Sequence, residues 1–221
     1  MQDIAIYGAS GYGKEVAGHI TYFNSYAIRK GGGEPLWNII GFFDDGVEKG
    51  TAISHWGKVL GGMKEVNAYD KPLALVLAIG NQKTRKKVVE NITNPHITYP
   101  NLIYPDVWYL DKSTVEIGMG NVICGATTFS CDVKIGNFNL LNGFVNVGHD
   151  VEIGDFNSIM PGVRISGEVH IGSENLLGVG SIILQQTKIG ERVTIGAGGV
   201  VLTKPKNDST YIGNPAKLLK Y

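Results

Sequence analysis

The chain has 221 residues, and its 20 basic side chains balance 20 acidic ones. That balance gives no electrostatic reason to expect nucleic acid or a membrane surface as partner, no stretch approaches the ~18 uninterrupted apolar residues of a membrane span, and the length holds two small domains. Two cysteines, Cys124 and Cys131, are too few for a secreted disulfide framework and have no metal-ligand spacing.

Ile4 to Tyr7 form a short apolar strand that ends in Gly8-Ala9-Ser10-Gly11-Tyr12-Gly13-Lys14-Glu15, after which Val16, Ile20 and Phe23 keep helical spacing. A strand, a glycine turn and a helix make a phosphate-binding start, because backbone N–H groups at the helix N-terminus face an anion and glycine permits close approach. The glycines fall as G-x-x-G-x-G and not G-x-G-x-x-G, so a purely structural strand-to-helix turn is the competing reading. Asn24 to Trp37, with Gly31-Gly32-Gly33 inside it, reads as an inserted or lengthened loop.

The next apolar run, Ile39-Ile40-Gly41-Phe42-Phe43, ends in Asp44-Asp45, where a dinucleotide-binding unit places an acidic residue toward ribose hydroxyls. A third strand, Ala74 to Ile79, ends in Gly80-Asn81 and leads into a helix carrying Arg85, Lys86 and Lys87. Three β-to-α switches thus put Gly8 to Gly13, Asp44-Asp45 and Gly80-Asn81 on one carboxyl edge, where open α/β sheets bind ligands. The first strand follows Met1-Gln2-Asp3 with no basic and apolar leader, which makes the cytoplasm the expected compartment.

From Ile117 to Val201 every sixth residue is a large apolar one, and Ile-Gly recurs at 117, 135, 153, 171 and 189, always 18 residues apart. Against an overall hydrophobic frequency of 43%, chance gives such a run odds on the order of 10⁻⁵. Period six with a super-period of 18 means short strands joined by tight corners, three to a coil, in a parallel β-helix. The sixth-position side chains point inward and stack on their equivalents one coil later, about 4.8 Å away. The residues two before them, among them Val115, Asn121, Thr127, Val133, Asn139, Asn157 and Asn175, are small or slender, as a narrow corner requires. After Val201 the repeats stop. Tyr211-Ile212-Gly213-Asn214-Pro215-Ala216-Lys217 reads as a last strand and tail that covers the exposed edge of the final coil.

The order of IYGASGYGKE, FFDD, AIGNQKTRKK, the hexapeptide repeats, the GHD turn and the closing YIGNPAK resembles the nucleotide-sugar acetyltransferase family that includes the bacillosamine-pathway N-acetyltransferase and the sialic acid O-acetyltransferases. The resemblance covers nearly the whole chain. It implies an α/β N-terminal Rossmann-like domain over residues 1–105 that binds the nucleotide sugar, a left-handed parallel β-helix of hexapeptide repeats over 106–204, and a C-terminal tail over 205–221. The left hand comes from the resemblance alone, since the general rule favours right-handed parallel crossovers.

Within the repeats, Val147 takes the inward position, so His149 and Asp150 fall on the corner and outer face where a ligand can reach them. In the resembled family a His followed by an acidic residue here is the general base and its orienting partner, a task that suits an imidazole near neutral pH. A solvated corner histidine is the alternative that the residues alone leave open. The resemblance further implies that Asn142 contacts the sugar, and that Ser158 stands where some members carry a second, substrate-positioning His. Tyr12 replaces a His in the glycine turn of some. Substrate binding is therefore expected at Gly8, Ser10, Gly11, Tyr12, Gly13, Lys14, Asp44, Asp45, Gly80, Asn81, Asn142 and Ser158.

The resemblance implies acetyl-CoA as the cosubstrate, bound in a homotrimer along the column between neighbouring subunits. A backbone N–H at Gly167, one period after His149, is the expected oxyanion donor. Gly180 and Gly198 leave room for a pantetheine arm, although glycines at such corners serve the fold in any case, and the resemblance implies that Lys204 meets the CoA phosphates. No metal is expected, because a γ-carbonic anhydrase site needs three histidines and the repeats offer only His149 and His170. The reading is an acetyl-CoA-dependent N-acetyltransferase acting on a nucleotide-linked amino sugar. The rivals are a sugar O-acetyltransferase using the same base and a non-catalytic nucleotide-sugar-binding subunit.

Overall fold

The computed structural model describes residues 1–31 and 33–220. It divides into two compact units, Met1–Pro100 and Asn101–Tyr221. Gly32, in the expected loop, lies outside the described residues.

In the first unit, among the described residues, five parallel strands form one sheet in the order β3-β2-β1-β4-β5: β1 (Gln2–Tyr7), β2 (Trp37–Phe43), β3 (Val59–Gly61), β4 (Leu73–Leu77) and β5 (Ile97–Thr98). Helices α1 (Gly11–Gly31), α2 (Met63–Asn67) and α3 (Gln82–Asn91) connect them. Ile4, Ala5 and Ile6 of β1 and Leu73, Ala74 and Leu75 of β4 are fully buried, the continuous apolar run of a strand covered on both faces. The short β3 and β5 carry too few residues to show a period, and the sequence reading passed over both.

The expected loop at Asn24 to Trp37 is corrected: α1 continues to Gly31. Tyr22 and Tyr26 stack one turn apart with centroids 6.4 Å from each other, and the Arg29 guanidinium lies 6.0 Å over the Tyr22 ring. The side-chain amide of Asn24 pairs with the backbone of Trp37, donating to its carbonyl (2.7 Å) and accepting from its N–H (2.9 Å). Polar Asn24-Ser25 interrupts the apolar spacing, which hid the continuation.

The second unit is a three-walled β-helix whose walls hold, among the described residues, six, five and eight strands. The pairing is parallel with an 18-residue offset, as in Thr128–Phe129 on Asn146–Val147 on Arg164–Ile165. Ile123, Leu141, Ile159, Leu177 and Ile195 form one of its inward columns, all at most 1% exposed. One corner carries a second, polar column. Asn121, Asn139, Asn157 and Asn175 are buried, each Oδ1 accepting from the backbone N–H and the side-chain amide of the next Asn at 2.8–3.1 Å, and Oδ1 of Asn175 accepting from Val193 N–H. Amides of Asn121, Asn157 and Asn175 also donate to the carbonyls of Gly136, Gly172 and Gly190. The column satisfies backbone groups that a tight corner would otherwise leave orphaned inside.

The walls extend beyond the strict repeat at both ends. Leu102–Ile103 pairs with Val122–Ile123 and Trp108–Tyr109 with Thr128–Phe129 at an offset of 20 residues, because the 3₁₀ turn Lys112–Thr114 inserts two residues into the first coil. That insertion broke the count of six, and the first coil therefore starts near 101, ahead of the expected boundary at 105/106. At the far end Thr210–Ile212 pairs with Thr194–Ile195 and then antiparallel with Lys217–Leu218, so residues from the expected tail 205–221 complete a wall.

Candidate active site

In the first unit the glycine turn divides by role. Gly8 (φ +112°) is pressed against the chain, since a Cβ there would stand 2.5 Å from the carbonyl oxygen of Ala78, and a Cβ on Gly13 would collide with the carbonyl of Gly8. Those two glycines let α1 and β4 approach β1. Gly11 and Gly80 have open space where a Cβ would go. Ser10, Gly11 and Lys14 are exposed, and Lys14 N–H donates to the carbonyl of Ser10 (3.1 Å) at the start of α1.

The acidic pair is engaged within the chain. Asp44 accepts from Ala9 N–H (2.7 Å) through Oδ2 and from Gly46 N–H (2.8 Å) through Oδ1, which ties β2 to the glycine turn. Asp45 accepts from Met63 N–H (2.8 Å), and its other oxygen accepts the Tyr7 hydroxyl. Burial, then the bond to Asp45, raises the Tyr7 hydroxyl well above the ordinary tyrosine range. Asn81 caps α3, accepting from Thr84 N–H at 2.9 Å. Arg85, 3% exposed, donates to the carbonyls of Ile79 (2.6 Å) and Gly80 (3.4 Å). Burial lowers its guanidinium to about 10, with Tyr12 opposing. The loops on this sheet edge are thus braced by side chains that the sequence had suggested for ligand contact.

In the second unit the repeat sets His149 on the corner between strands Asn146–Val147 and Glu152–Ile153. Nδ1 of His149 is 2.8 Å from Oδ2 of Asp150, and the two side chains are about half exposed, at 48% and 59%. Asp150 sits at φ 56°, a left-handed corner that Asp tolerates and that turns its carboxylate back toward the imidazole. One coil later lies Gly167. A Cβ on it would stand 2.5 Å from Nε2 of His149, so the ring rests on bare backbone. The Gly167 N–H donates to no acceptor among the described residues, a property it shares with its column mates Cys131 and His149. What distinguishes Gly167 is the imidazole above it.

The same corner holds side chains that the sequence reading missed. Glu168 donates its N–H to the carbonyl of His149 (2.8 Å), and its carboxylate accepts from the amides of Gln185 (2.8 Å) and Gln186 (3.0 Å). Those two bonds, followed by weaker attraction to His149, hold the Glu168 carboxyl below the usual range. The 18-residue offset itself was the signal, since Glu168 follows Asp150 by one coil. A parallel pair, His170 Nδ1 and Glu152 Oε2 at 3.0 Å, lies on the neighbouring wall.

Asn142 and Ser158 are elsewhere. Asn142 occupies the preceding corner of the coil, its amide 3.6 Å from Sδ of Met160, and Ser158, 1% exposed, is in register with Leu140 and Leu176. Gly180 and Gly198 share that corner column with Phe144, at φ +65° and with open space where a Cβ would go. One chain therefore places its imidazole and its open glycines on different corners. Lys204 is exposed beyond the last repeat. Among the described residues no cluster of three or more His, Cys, Asp or Glu is arranged for a metal ion, and no helix is long and apolar enough to cross a membrane.

Comparison with known proteins places this geometry in context. The family model of the PglD N-terminal domain matches residues 3–92. WeeI from Acinetobacter baumannii AYE is 30% identical, with 99% of this chain and 100% of that one covered and a TM-score of 0.83. The acetyltransferase domain of PglB from Neisseria gonorrhoeae FA1090 is 29% identical over 99% of this chain and 100% of that one, TM-score 0.83, and its complex with acetyl coenzyme A aligns at 28% identity and TM-score 0.66, covering 99% of each chain. A mutant of perosamine N-acetyltransferase from Caulobacter crescentus, in complex with CoA and GDP-perosamine, shares the fold at 22% identity and TM-score 0.81, over 100% of this chain and 98% of that one. No curated protein matches the sequence. The α/β domain followed by a parallel β-helix, expected from the repeats and the resemblance, is the fold that this chain shares with these structures.

Proposed function

The chain belongs to the nucleotide-sugar acetyltransferases of the hexapeptide-repeat type with a PglD-like N-terminal domain, and we propose that it transfers the acetyl group of acetyl-CoA to the amino group of a nucleotide-linked amino sugar. The observation that carries this reading is the His149–Asp150 pair mounted over the bare backbone of Gly167. With the carboxylate on Nδ1, the proton sits on that nitrogen and the lone pair of Nε2 faces outward over Gly167. As the amine nitrogen bonds to the thioester carbonyl carbon, Nε2 takes its proton, and the Gly167 N–H donates to the oxygen that becomes negative. Collapse of the tetrahedral intermediate breaks the C–S bond, and the CoA thiolate takes the proton back from the imidazolium. The products are an amide and the free thiol.

The rest of the assignment follows from what lies open. Ser10, Gly11, Lys14 and Gly80 form the part of the first unit's sheet edge that takes the nucleotide, with Gly8, Gly13, Asp44, Asp45 and Asn81 shaping it. Acetyl-CoA lies on the corner of Gly180 and Gly198. Because that corner and His149 are on different edges of one β-helix, a neighbouring copy in a homotrimer unites them. The proposed location is the cytoplasm, where acetyl-CoA is available.

The test is thiol release from acetyl-CoA against a panel of nucleotide-linked amino sugars and free hydroxylated sugars, with His149→Ala beside the parent. The expected result is release with an amino sugar and a loss of about 10²–10⁴-fold in the variant, the usual worth of a general base. Release only with a hydroxylated acceptor replaces this reading with O-acetylation. Silence across the panel, with no acetyl-CoA binding, replaces it with a non-catalytic sugar-binding role.

A further inference from the structure

Glu168 is a half-buried carboxylate with both oxygens fixed by neighbouring amides. Long surface side chains lose rotamer entropy when fixed, so isolated surface contacts of this kind contribute little to stability. Yet Gln185 and Gln186 each commit an amide to Glu168, one to each carboxylate oxygen. The backbone is committed too: Glu168 N–H donates to the carbonyl of His149, and Gln186 N–H to that of Gly167 (3.1 Å). Glu168 shares the left-handed corner column with Asp132, Asp150 and Gln186 and lines one groove with them.

We infer that Glu168 is a positioning residue for His149, a fixed negative charge one coil below that stabilises the imidazolium when the base takes its proton. Asp150 bonds to Nδ1 and orients the ring, whereas Glu168 contributes a field from the Gly167 side, where Nε2 works. Two amide donors keep it ionised and aimed, so no reorganisation is needed when the imidazole charges. The proposal rests on His149 being the base, and it deepens that reading.

The other charges around this corner are common to parent and variant. Asp132 and Glu152 add negative charge to the groove, Lys134 and Lys188 add positive charge, and His170 adds a second imidazole. His170 is itself engaged by Glu152. A comparison that changes Glu168 alone therefore isolates its contribution.

The experiment is an NMR titration of the His149 ring in the full chain without substrate, for the parent and for Glu168→Gln, a change of charge at nearly constant shape. The expected result is that the ring resonances of His149 change with pH differently in parent and variant, the variant losing its proton at the lower pH, with a difference that shrinks as salt screens the Glu168 charge. A pH profile with acetyl-CoA and the acceptor is the second readout. The low-pH limb of kcat/KM moves to lower pH in the variant while the plateau falls about threefold, two changes that a loss of folding does not produce together. Identical His149 titrations in parent and variant overturn the proposal. The titration needs no turnover, so it decides the role of Glu168 even if the acetyl-transfer reading fails.

Discussion

The imidazole of His149 rests on the backbone of Gly167, one coil away, at a distance where a Cβ would stand 2.5 Å from Nε2 and 2.6 Å from Cε1. That relationship ties a reactive nitrogen to a position where only a hydrogen side chain fits. Gly167→Ala is expected to leave the fold intact, because the residue is outside the left-handed region and the clashing group is an exposed ring free to swing. The swing moves Nε2 by roughly an ångström, for which a loss on the order of 10²-fold in acetyl transfer is expected. Rates for parent and variant, with unfolding midpoints alongside, check this, and undiminished turnover refutes it.

The Asn column predicts a stability effect separable from activity. Asn157 Oδ1 accepts from the backbone N–H of Asn175 (2.9 Å), and its amide donates to the carbonyl of Gly172 (2.9 Å) in a fully buried corner. Asn157→Leu leaves both backbone groups unpaired, at roughly 1–3 kcal/mol each, so a total near 4 kcal/mol is expected in a denaturant titration. A loss under about 1 kcal/mol would mean that the corner relaxes to satisfy itself.

Phe144 predicts the opposite sign. It adopts φ 63° while its side chain is 73% exposed, so a bulky residue bears left-handed strain without compensating burial. Its column mates Gly162, Gly180 and Gly198 show what the backbone prefers. Phe144→Gly is expected to raise stability by about 1 kcal/mol, read as a higher melting temperature.

His19 makes stability depend on pH. Burial lowers its pKa below 6.5 against the weaker attraction of Glu15, whose Oε1 is 3.8 Å from Nε2. The unfolded chain takes up the proton first as pH falls, so the stability His19 contributes above 6.5 declines until its folded pKa is passed. In unfolding titrations between about pH 7.5 and 5.5, His19→Gln is expected to gain on the parent as the medium becomes more acid. Parallel curves would show that His19 is solvated in the folded chain.

Much of this protein was legible in its residues because a β-helix writes its geometry as a period. A strict count of six from Ile117 to Val201 forces strands, corners and a stacked core, and the 18-residue offset places Gly167 under His149 without coordinates. Where two residues enter the first coil at Lys112–Thr114, the same count fails, and the coil beginning at Leu102–Ile103 went unseen. The helical run Asn24 to Gly31 was hidden for a related reason, since its order comes from ring stacking and from Trp37, neither of which leaves an apolar period.

Only tertiary structure decided which candidate side chains are available. Asp44, Asp45 and Asn81 have residue types suited to a ligand, yet backbone N–H groups brought near by folding occupy their oxygens. Gly8, Gly11 and Gly13 look alike in sequence and differ in what presses on them. The Gln185 and Gln186 clamp on Glu168 depends on rotamers chosen across a corner. A period records where the backbone returns; hydrogen-bond partners and free space depend on all the chains of atoms that return with it, and those are set only when the coils close on one another.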